Sequence, residues 1–378
     1  LKNSHPKYLP HNQVQLVRGG REYFELLLQL IDGAQRSIHL QTYIFDGDET
    51  GNAISDALIN AAGRGVKVYI LLDSFGSQHL HADVIQRFKD AGIFIRKFQT
   101  FLKTKKFYLG RRLHHKVFVA DAYKCTVGGI NISNRYNDTN EGQAWLDWAL
   151  YVEGEVGPAL EDICKARLRL RHKTDHDIPK IKSECNVRIS VNDWVRRKRQ
   201  IYASYLEMIR NSKSEIIIMS AYFLPGRNFR KYLAAAIKRG VKVTVVLTGA
   251  TDVFLMKYAE RFMYRWLFNH QVKVYEYRKT ILHAKLALCD DNWMTVGSFN
   301  INNLSAFASV ELNLDIQNES CVCEAKKKIQ RVIEEECTLV TEKKFVKKYN
   351  SFHRTVHRLS YQMFRFLFFL STRQPGDR

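Results

Sequence analysis

His114-His115-Lys116-Val117-Phe118-Val119-Ala120-Asp121 and His283-Ala284-Lys285-Leu286-Ala287-Leu288-Cys289-Asp290 share the pattern His-x-Lys-x-x-x-x-Asp, 169 positions apart (283 − 114). The agreement continues downstream. Fourteen residues after each His stands a Gly (Gly128, Gly297), and seventeen after it an Asn (Asn131, Asn300). A single His near a Lys is ordinary surface decoration, but two copies with matching satellites mark a duplicated site, provided the strand context fits. Each motif opens an apolar, β-branched run: 116–120 followed by 125–130, and 285–289 followed by 294–297. These read as paired strands turning at Asp121-Ala122-Tyr123 and Asp290-Asp291-Asn292. Residues two apart on a strand share a face, so His114 projects with Lys116 and His283 with Lys285, while His115 points the other way.

Working outward, the flanks repeat too. In the first half the pattern predicts strands over 14–17, 37–45, 66–72 and 93–98, and helices over 21–34, 53–62 and 80–91. The second half predicts helices over 201–210 and 229–238 and strands over 215–223 and 241–247. The pentapeptide Arg-Gly-Val-Lys-Val stands at 64–68 and again at 239–243. Alternating strands and helices in each half indicate α/β units. The expected organisation is an N-terminal arm (1–12), two domains (13–180 and 181–340) joined through the polar stretch 175–184, and a C-terminal segment (341–378).

The 378 residues, 46% of them hydrophobic, suffice for two domains or one duplicated one. A net charge of +21 points to an anionic partner: nucleic acid, a phosphate ester or an acidic lipid surface. The seven cysteines are scattered and show no zinc-site spacing, which fits a reducing compartment. No stretch approaches the roughly 20 apolar residues of a transmembrane helix. The chain starts at Leu1, so an anchor upstream of it is left open. Apolar residues at 345, 349, 352, 356, 359, 363, 366 and 370 step by four and three, and Lys343, Lys344, Lys347, Lys348, Arg354, Arg358 and Arg365 lie off that line. This predicts a basic amphipathic helix, which either lies in the plane of an anionic membrane or packs its stripe on the core.

Chemically, His, Lys and Asn converging on one strand face suit a phosphate. Lys supplies fixed charge and Asn an amide donor, and His serves as nucleophile or general acid near neutral pH. Two facing half-sites give one phosphate Lys116, Lys285, Asn131 and Asn300, with one His to attack and the other to protonate the leaving alkoxide. A carboxylate on the far imidazole nitrogen improves such a His, and Asp147 (33 after His114) and Glu311 (28 after His283) are the candidates. Asp121 and Asp290 belong to the motif, yet each opens a turn where a structural role suits it. No carboxylate cluster for a metal pair is evident, so neither metal nor cofactor is expected.

These residues resemble the phospholipase D superfamily, marked by a duplicated His-x-Lys-x-x-x-x-Asp followed by Gly-Gly/Ser-x-Asn. Here the second element reads Gly128-Gly129-Ile130-Asn131 and Gly297-Ser298-Phe299-Asn300. Within it the chain is most similar to bacterial cardiolipin synthases, through Thr42-Tyr43-Ile44-Phe45, Trp145-Leu146-Asp147, Tyr222-Phe223-Leu224-Pro225 and Tyr275-Glu276-Tyr277. The resemblance spans about 12–375. It implies two tandem α/β/α sandwich halves with pseudo-two-fold symmetry sharing one cleft, and metal-independent phosphatidyl transfer through a phosphohistidine. It implies His114 as nucleophile and His283 as acid/base, with catalytic sets His114/Lys116/Asp121 and His283/Lys285/Asp290. Its reaction converts two phosphatidylglycerols into cardiolipin and glycerol, peripherally on the cytoplasmic face of the membrane. Two departures stand out: no N-terminal transmembrane pair, and Leu304-Ser305 where many such enzymes have Arg-Ser, which puts the acceptor in question. The competing readings are a hydrolytic phospholipase D, a nuclease or nucleic-acid-binding member of the same superfamily, and a non-catalytic membrane scaffold. Apolar residues in the basic stretch (Phe101, Leu102, Phe107, Tyr108 and Leu109 among Lys103, Lys105, Lys106, Arg111 and Arg112) favour lipid over nucleic acid. Oligomeric state is not legible.

Overall fold

The structure, a computed structural model, describes residues 6–98, 111–170, 179, 181–196, 198–251, 253–302 and 309–372. The first half runs β1 (Leu9–Arg18), α1 (Arg21–Gly33), β2 (Ser37–Thr42), α2 (Glu49–Gly63), β3 (Lys67–Asp73), α3 (Ala82–Asp90), β4 (Phe94–Phe98), β5 (Val117–Ala120), β6 (Lys124–Gly128), β7 (Trp148–Gly154) and α4 (Val156–Leu168). The second runs β8 (Cys185–Asp193), β9 (Lys198–Arg199), α5 (Gln200–Asn211), β10 (Glu215–Ser220), α6 (Arg227–Lys238), β11 (Lys242–Thr248), α7 (Phe254–Asn269), β12 (Lys273–Tyr277), β13 (Lys285–Cys289), β14 (Trp293–Gly297), β15 (Glu311–Gln317) and α8 (Glu319–Glu336). It closes with β16 (Cys337–Val340), α9 (Glu342–Lys348) and α10 (Ser351–Thr372).

One sheet carries the duplication. Its first half is ordered β1-β7-β6-β5-β2-β3-β4 and its second β8-β15-β14-β13-β10-β11-β12, with β16 added at the far edge. The halves join where β1 pairs antiparallel with its counterpart β8. In each half three strands are parallel (β2-β3-β4, β10-β11-β12), and the motif strand (β5, β13) runs antiparallel beside the first of them. That reversal places the start of each motif strand at the carboxyl end of the parallel strands, where open α/β sheets present their ligand crevices. Helices cover both faces. A core continuous between the halves packs α4 and α8 on the sheet, through Leu160, Cys164, Val322 and Ile329. Separate outer cores seat α1–α3 on the first half and α5 and α6 on the second.

The repeated Arg-Gly-Val-Lys-Val has a physical account. Gly65 and Gly240 adopt φ of 91° and 94°, a region favourable to glycine. The preceding arginines reach back to open carbonyls at the end of the previous helix: Arg64 to Ile31 and Asp32, Arg239 to Ile209 and Arg210. Val66 and Val241 are buried as the chain enters β3 and β11.

Two expectations are corrected. The N-terminal arm is not loose throughout, because β1 begins at Leu9. The Asn12 side chain pins its irregular start, donating to Leu9 O, Pro10 O and Cys185 O and accepting from Val156 N. The C-terminal segment is two helices rather than one. The chain breaks at Tyr349-Asn350, and the Asn350 side chain caps α10 by accepting from His353 N at 3.1 Å. The apolar stripe divides: Phe345 packs on the core of the second half and Tyr349 is buried, whereas most of its later positions do not pack. Helix α10 meets α7 through His357 and Tyr361, with Tyr349 before it under Arg261, and Phe352, Leu359, Met363 and Phe366 remain exposed. Among the described residues no helix is long and apolar enough to cross a membrane. The residues 99–110, the pair Leu304-Ser305, half of the 175–184 joint and the stripe position Leu370 lie outside the described residues or side chains.

Candidate active site

The two motifs meet across the joint between the halves. Leu113 bridges Val310, and Leu146 bridges Leu282. The backbone bonds His114 N to Val310 O (2.9 Å) and His283 N to Leu146 O (2.8 Å) fix each motif His beside the carboxylate of the opposite half. His114 Nδ1 donates to Glu311 Oε2 at 2.8 Å, and His283 Nδ1 donates to Asp147 Oδ2 at 2.6 Å. The pairing is therefore crossed. Asp147 follows His114 in sequence but serves His283, and Glu311 follows His283 but serves His114. With Nδ1–H committed to a carboxylate, each Nε2 keeps its lone pair.

Further contacts hold these groups. Glu311 also accepts from Ser298 Oγ at 2.5 Å, and Asp147 Oδ1 accepts from Trp148 N at 2.8 Å. Tyr43 meets His114 edge-on at 5.2 Å, and Tyr136 meets His283 likewise at 5.2 Å. Lys116 Nζ donates to His114 O at 2.9 Å and lies over the Tyr43 ring. Lys285 Nζ sits against the His283 ring and its carbonyl, 3.7 Å from Asp147. Both lysines are buried, 4% and 1% exposed, so their charge acts through little solvent.

The electrostatics couple the halves. Burial, then the Lys285 charge, pulls the Lys116 ammonium down to about 7. Burial, then Lys285, pushes His283 down to about 3, against the pull of Asp147. His114 is also lowered, by burial first and by Lys116, with Glu311 opposing. Two neutral imidazoles beside concentrated positive charge form a site poised for an anion.

Asn131 and Asn300 are buried beside the motifs, but their surroundings differ. Asn131 Oδ1 accepts from Ile44 N at 3.1 Å. In the second half, Asn300 Oδ1 has no partner among the described residues.

The model of the family described as "Cardiolipin synthase, PLD-like domain" matches residues 27–147 and 205–335, one segment in each half. The chain belongs to that family. It is 32% identical over 349 residues to cardiolipin synthase B of Escherichia coli (strain K12), covering 88% of this chain and 83% of that one. It is 29% identical over 323 residues to the major cardiolipin synthase ClsA of Bacillus subtilis (strain 168), covering 83% and 67%. The fold also matches the crystal structure of a phosphatidylserine synthase from Haemophilus influenzae Rd KW20, with a TM-score of 0.74, 14% identity and coverage of 98% and 97%. The protein is an enzyme of the phospholipase D type, a phospholipid phosphatidyltransferase.

Not every motif residue reaches this site. Asp121 and Asp290, grouped with the catalytic set by the motif, sit at the far ends of the motif strands, roughly 17 Å from Lys116 and Lys285 at about 3.3 Å per residue. There Asp121 accepts from the backbone N–H of Gln35, Arg36 and Ser37, and Asp290 from those of Lys213, Ser214 and Glu215. Each ties the entry of its neighbouring strand, β2 or β10. His115 is fully buried against Gln41 Oε1 at 3.0 Å. Of the basic stretch, Arg111 pairs with Asp193 and Arg112 lies over Phe75.

Two positioning residues escaped the sequence reading. Asp73 Oδ2 accepts from Leu113 N at 2.8 Å, and Thr248 Oγ1 accepts from Leu282 N at 3.2 Å. Each fixes the residue before a motif His. Their signal was the offset of 175 shared with the repeated pentapeptide, at the carboxyl ends of β3 and β11.

Proposed function

We propose that this enzyme is a cardiolipin synthase that transfers a phosphatidyl group between two phosphatidylglycerols, releasing glycerol, through a phosphohistidine on His114. The observation that carries the reading is the crossed pairing. Each imidazole is oriented by a carboxylate from the other half, and both lie in the field of two buried lysines. In the first step His114 Nε2 attacks phosphorus, the bond to the glycerol oxygen breaks, and that oxygen takes a proton from His283. In the second step the hydroxyl of the other phosphatidylglycerol gives its proton to His283, its oxygen attacks phosphorus, and the P–N bond breaks. A bound phosphodiester anion raises the proton affinity of the nearby imidazoles, which offsets part of the depression at His283. Lys116 and Lys285 stabilise charge on the non-bridging oxygens, with the Asn131 and Asn300 amides beside them.

The relatives named cardiolipin synthase support this acceptor, and the exposed apolar face of α10 supports work at a membrane surface. The test is incubation of purified protein with labelled phosphatidylglycerol. Cardiolipin and glycerol are expected, with turnover abolished in His114→Ala and His283→Ala. Phosphatidic acid as the main product would make it a hydrolase, and cleavage of single-stranded DNA would make it a nuclease.

A further inference from the structure

Helix α7 lies across the carboxyl ends of β10–β12. Glu260 Oε2 accepts from Phe223 N just beyond β10, Lys257 Nζ donates to Thr248 O at the end of β11, and Tyr264 OH donates to Glu276 in β12. This is the end at which Thr248 holds Leu282 beside His283. Helix α10 stacks on α7 in parallel, Tyr258 meeting His357 and Phe262 meeting Tyr361, and so forms the outer layer of that end.

Between α7, α9 and α10 lies a groove of about 540 Å³ containing none of the motif residues. Arg261, Arg265, Arg354 and Arg358 line it together with a single carboxylate, Glu342; among the described residues none of the four forms a salt bridge, and Arg261 lies in the field of Glu276. His357, 3% exposed, also lines it, and its Nε2 has no hydrogen-bond partner; Arg261 Nε is likewise buried and unpartnered. Such buried polar atoms are rarely left unmatched, and four guanidinium groups against one lining carboxylate leave a positive excess that suits phosphate oxygens. The rest of the lining is apolar, through Phe262, Phe268, Phe345 and Val346.

We infer that this groove is a second binding site, separate from the two-histidine centre, for the phosphate headgroup of an anionic phospholipid in a bilayer. Arg354 and Arg358 stand on the helix that exposes Phe352, Leu359, Met363 and Phe366, at 72%, 63%, 38% and 60%. A second groove, with Arg227, Arg230 and Arg365, borders α10 near Leu224 and Phe364. A helix with an exposed apolar face and arginines off that face suits an anionic interface, with apolar side chains in the acyl boundary and cations at headgroup level. The net charge of +21 complements such a surface. Occupancy would hold the His283 end of the sheet against the bilayer that carries the substrate. The inference rests on the proposed work at anionic membranes, not on the phosphohistidine.

The test is co-sedimentation of the full chain with phosphatidylcholine vesicles, with and without phosphatidylglycerol. R354Q/R358Q changes exposed positions, and a control pair, K67Q/K242Q, removes equal charge at the opposite ends of β3 and β11. The site variant should bind phosphatidylglycerol vesicles roughly thirtyfold more weakly, since each cation near the surface contributes about fivefold. The control pair and His114→Ala should bind as the parent does, and thermal melting should be unchanged throughout. Equal weakening in both charge pairs, or unchanged binding in R354Q/R358Q, would overturn the site. Displacement of the vesicles by millimolar inorganic phosphate alone would also overturn it, by making the groove a free-anion site. Absence of cardiolipin formation with normal vesicle binding would sink the catalytic reading and leave this one standing.

Discussion

His114 Nδ1 lies 2.8 Å from Glu311 Oε2, a carboxylate 197 positions later and in the opposite half of the chain. Neither half is thus complete alone, since each supplies the other's orienting acid. Glu311→Gln and Asp147→Asn should each lower kcat by on the order of 10²–10⁴-fold with the fold retained, because the wrong imidazole tautomer is then favoured. The two are distinguishable. With a phosphodiester bearing an activated leaving group, protonation by His283 is not required. Asp147→Asn should then still give phosphorus-labelled protein at His114 when quenched in alkaline denaturant, which preserves the acid-labile P–N bond, whereas Glu311→Gln should form it much more slowly. Label trapped on His283 instead would reverse the assigned roles.

The turn aspartates should separate stability from chemistry. Asp121 and Asp290 each accept three backbone N–H groups at 2.7–3.0 Å. Asp121→Ala or Asp290→Ala leaves those donors to water and should cost about 1–3 kcal/mol. The denaturation midpoint falls, while kcat per folded molecule stays within about twofold. A large kcat loss at unchanged stability would return them to the chemistry.

The duplication was legible because it left local marks: the motif strands, the turn aspartates, and the Arg-Gly turns that need a positive φ. The α/β alternation followed from hydrophobic spacing, with β10 and β11 falling within a few residues of expectation. The crossing of Glu311 and Asp147 was not legible. Comparable sequence distances fit pairing within a half equally well, and only the bridges Leu113–Val310 and Leu146–Leu282 decide it. Asp73 and Thr248 were missed because they act through a backbone N–H, which leaves no residue-type signature in the partner. The C-terminal stripe was read correctly as apolar, but its exposure depends on α7 offering Tyr258 and Phe262 to a different side of α10.

The pH profile should carry the Lys116 signature. Burial and Lys285 bring its ammonium to about 7, so in the free enzyme it is cationic below that pH and neutral above. Anionic substrate needs the cation, so kcat/KM, which reports the free enzyme, should fall as pH rises through about 7. Lys116→Arg keeps its charge throughout this range and should flatten the alkaline limb even if the maximum rate drops. On the acid side His114 is lowered from its ordinary 6.5, so the limb from protonating the nucleophile should lie below that pH. An alkaline limb identical in Lys116→Arg would assign it to another group.

The motif position after the first Gly differs between the halves, and the difference matches the two carboxylates. At Ser298 the hydroxyl donates to Glu311. At Gly129 an added Cβ would lie 2.3 and 2.4 Å from the Asp147 carboxylate oxygens, so glycine leaves the room that this shorter acid needs to reach His283. Gly129→Ala should displace Asp147 and lower kcat nearly as far as Asp147→Ala does. The double variant should be little worse than Asp147→Ala alone, since the clash exists only while the carboxylate is present. Ser298→Gly, which removes one donor to Glu311 and crowds nothing, should lose less. A double variant whose losses multiply would mean that Gly129 acts through the backbone instead, and steady-state kcat over the four proteins decides between the two.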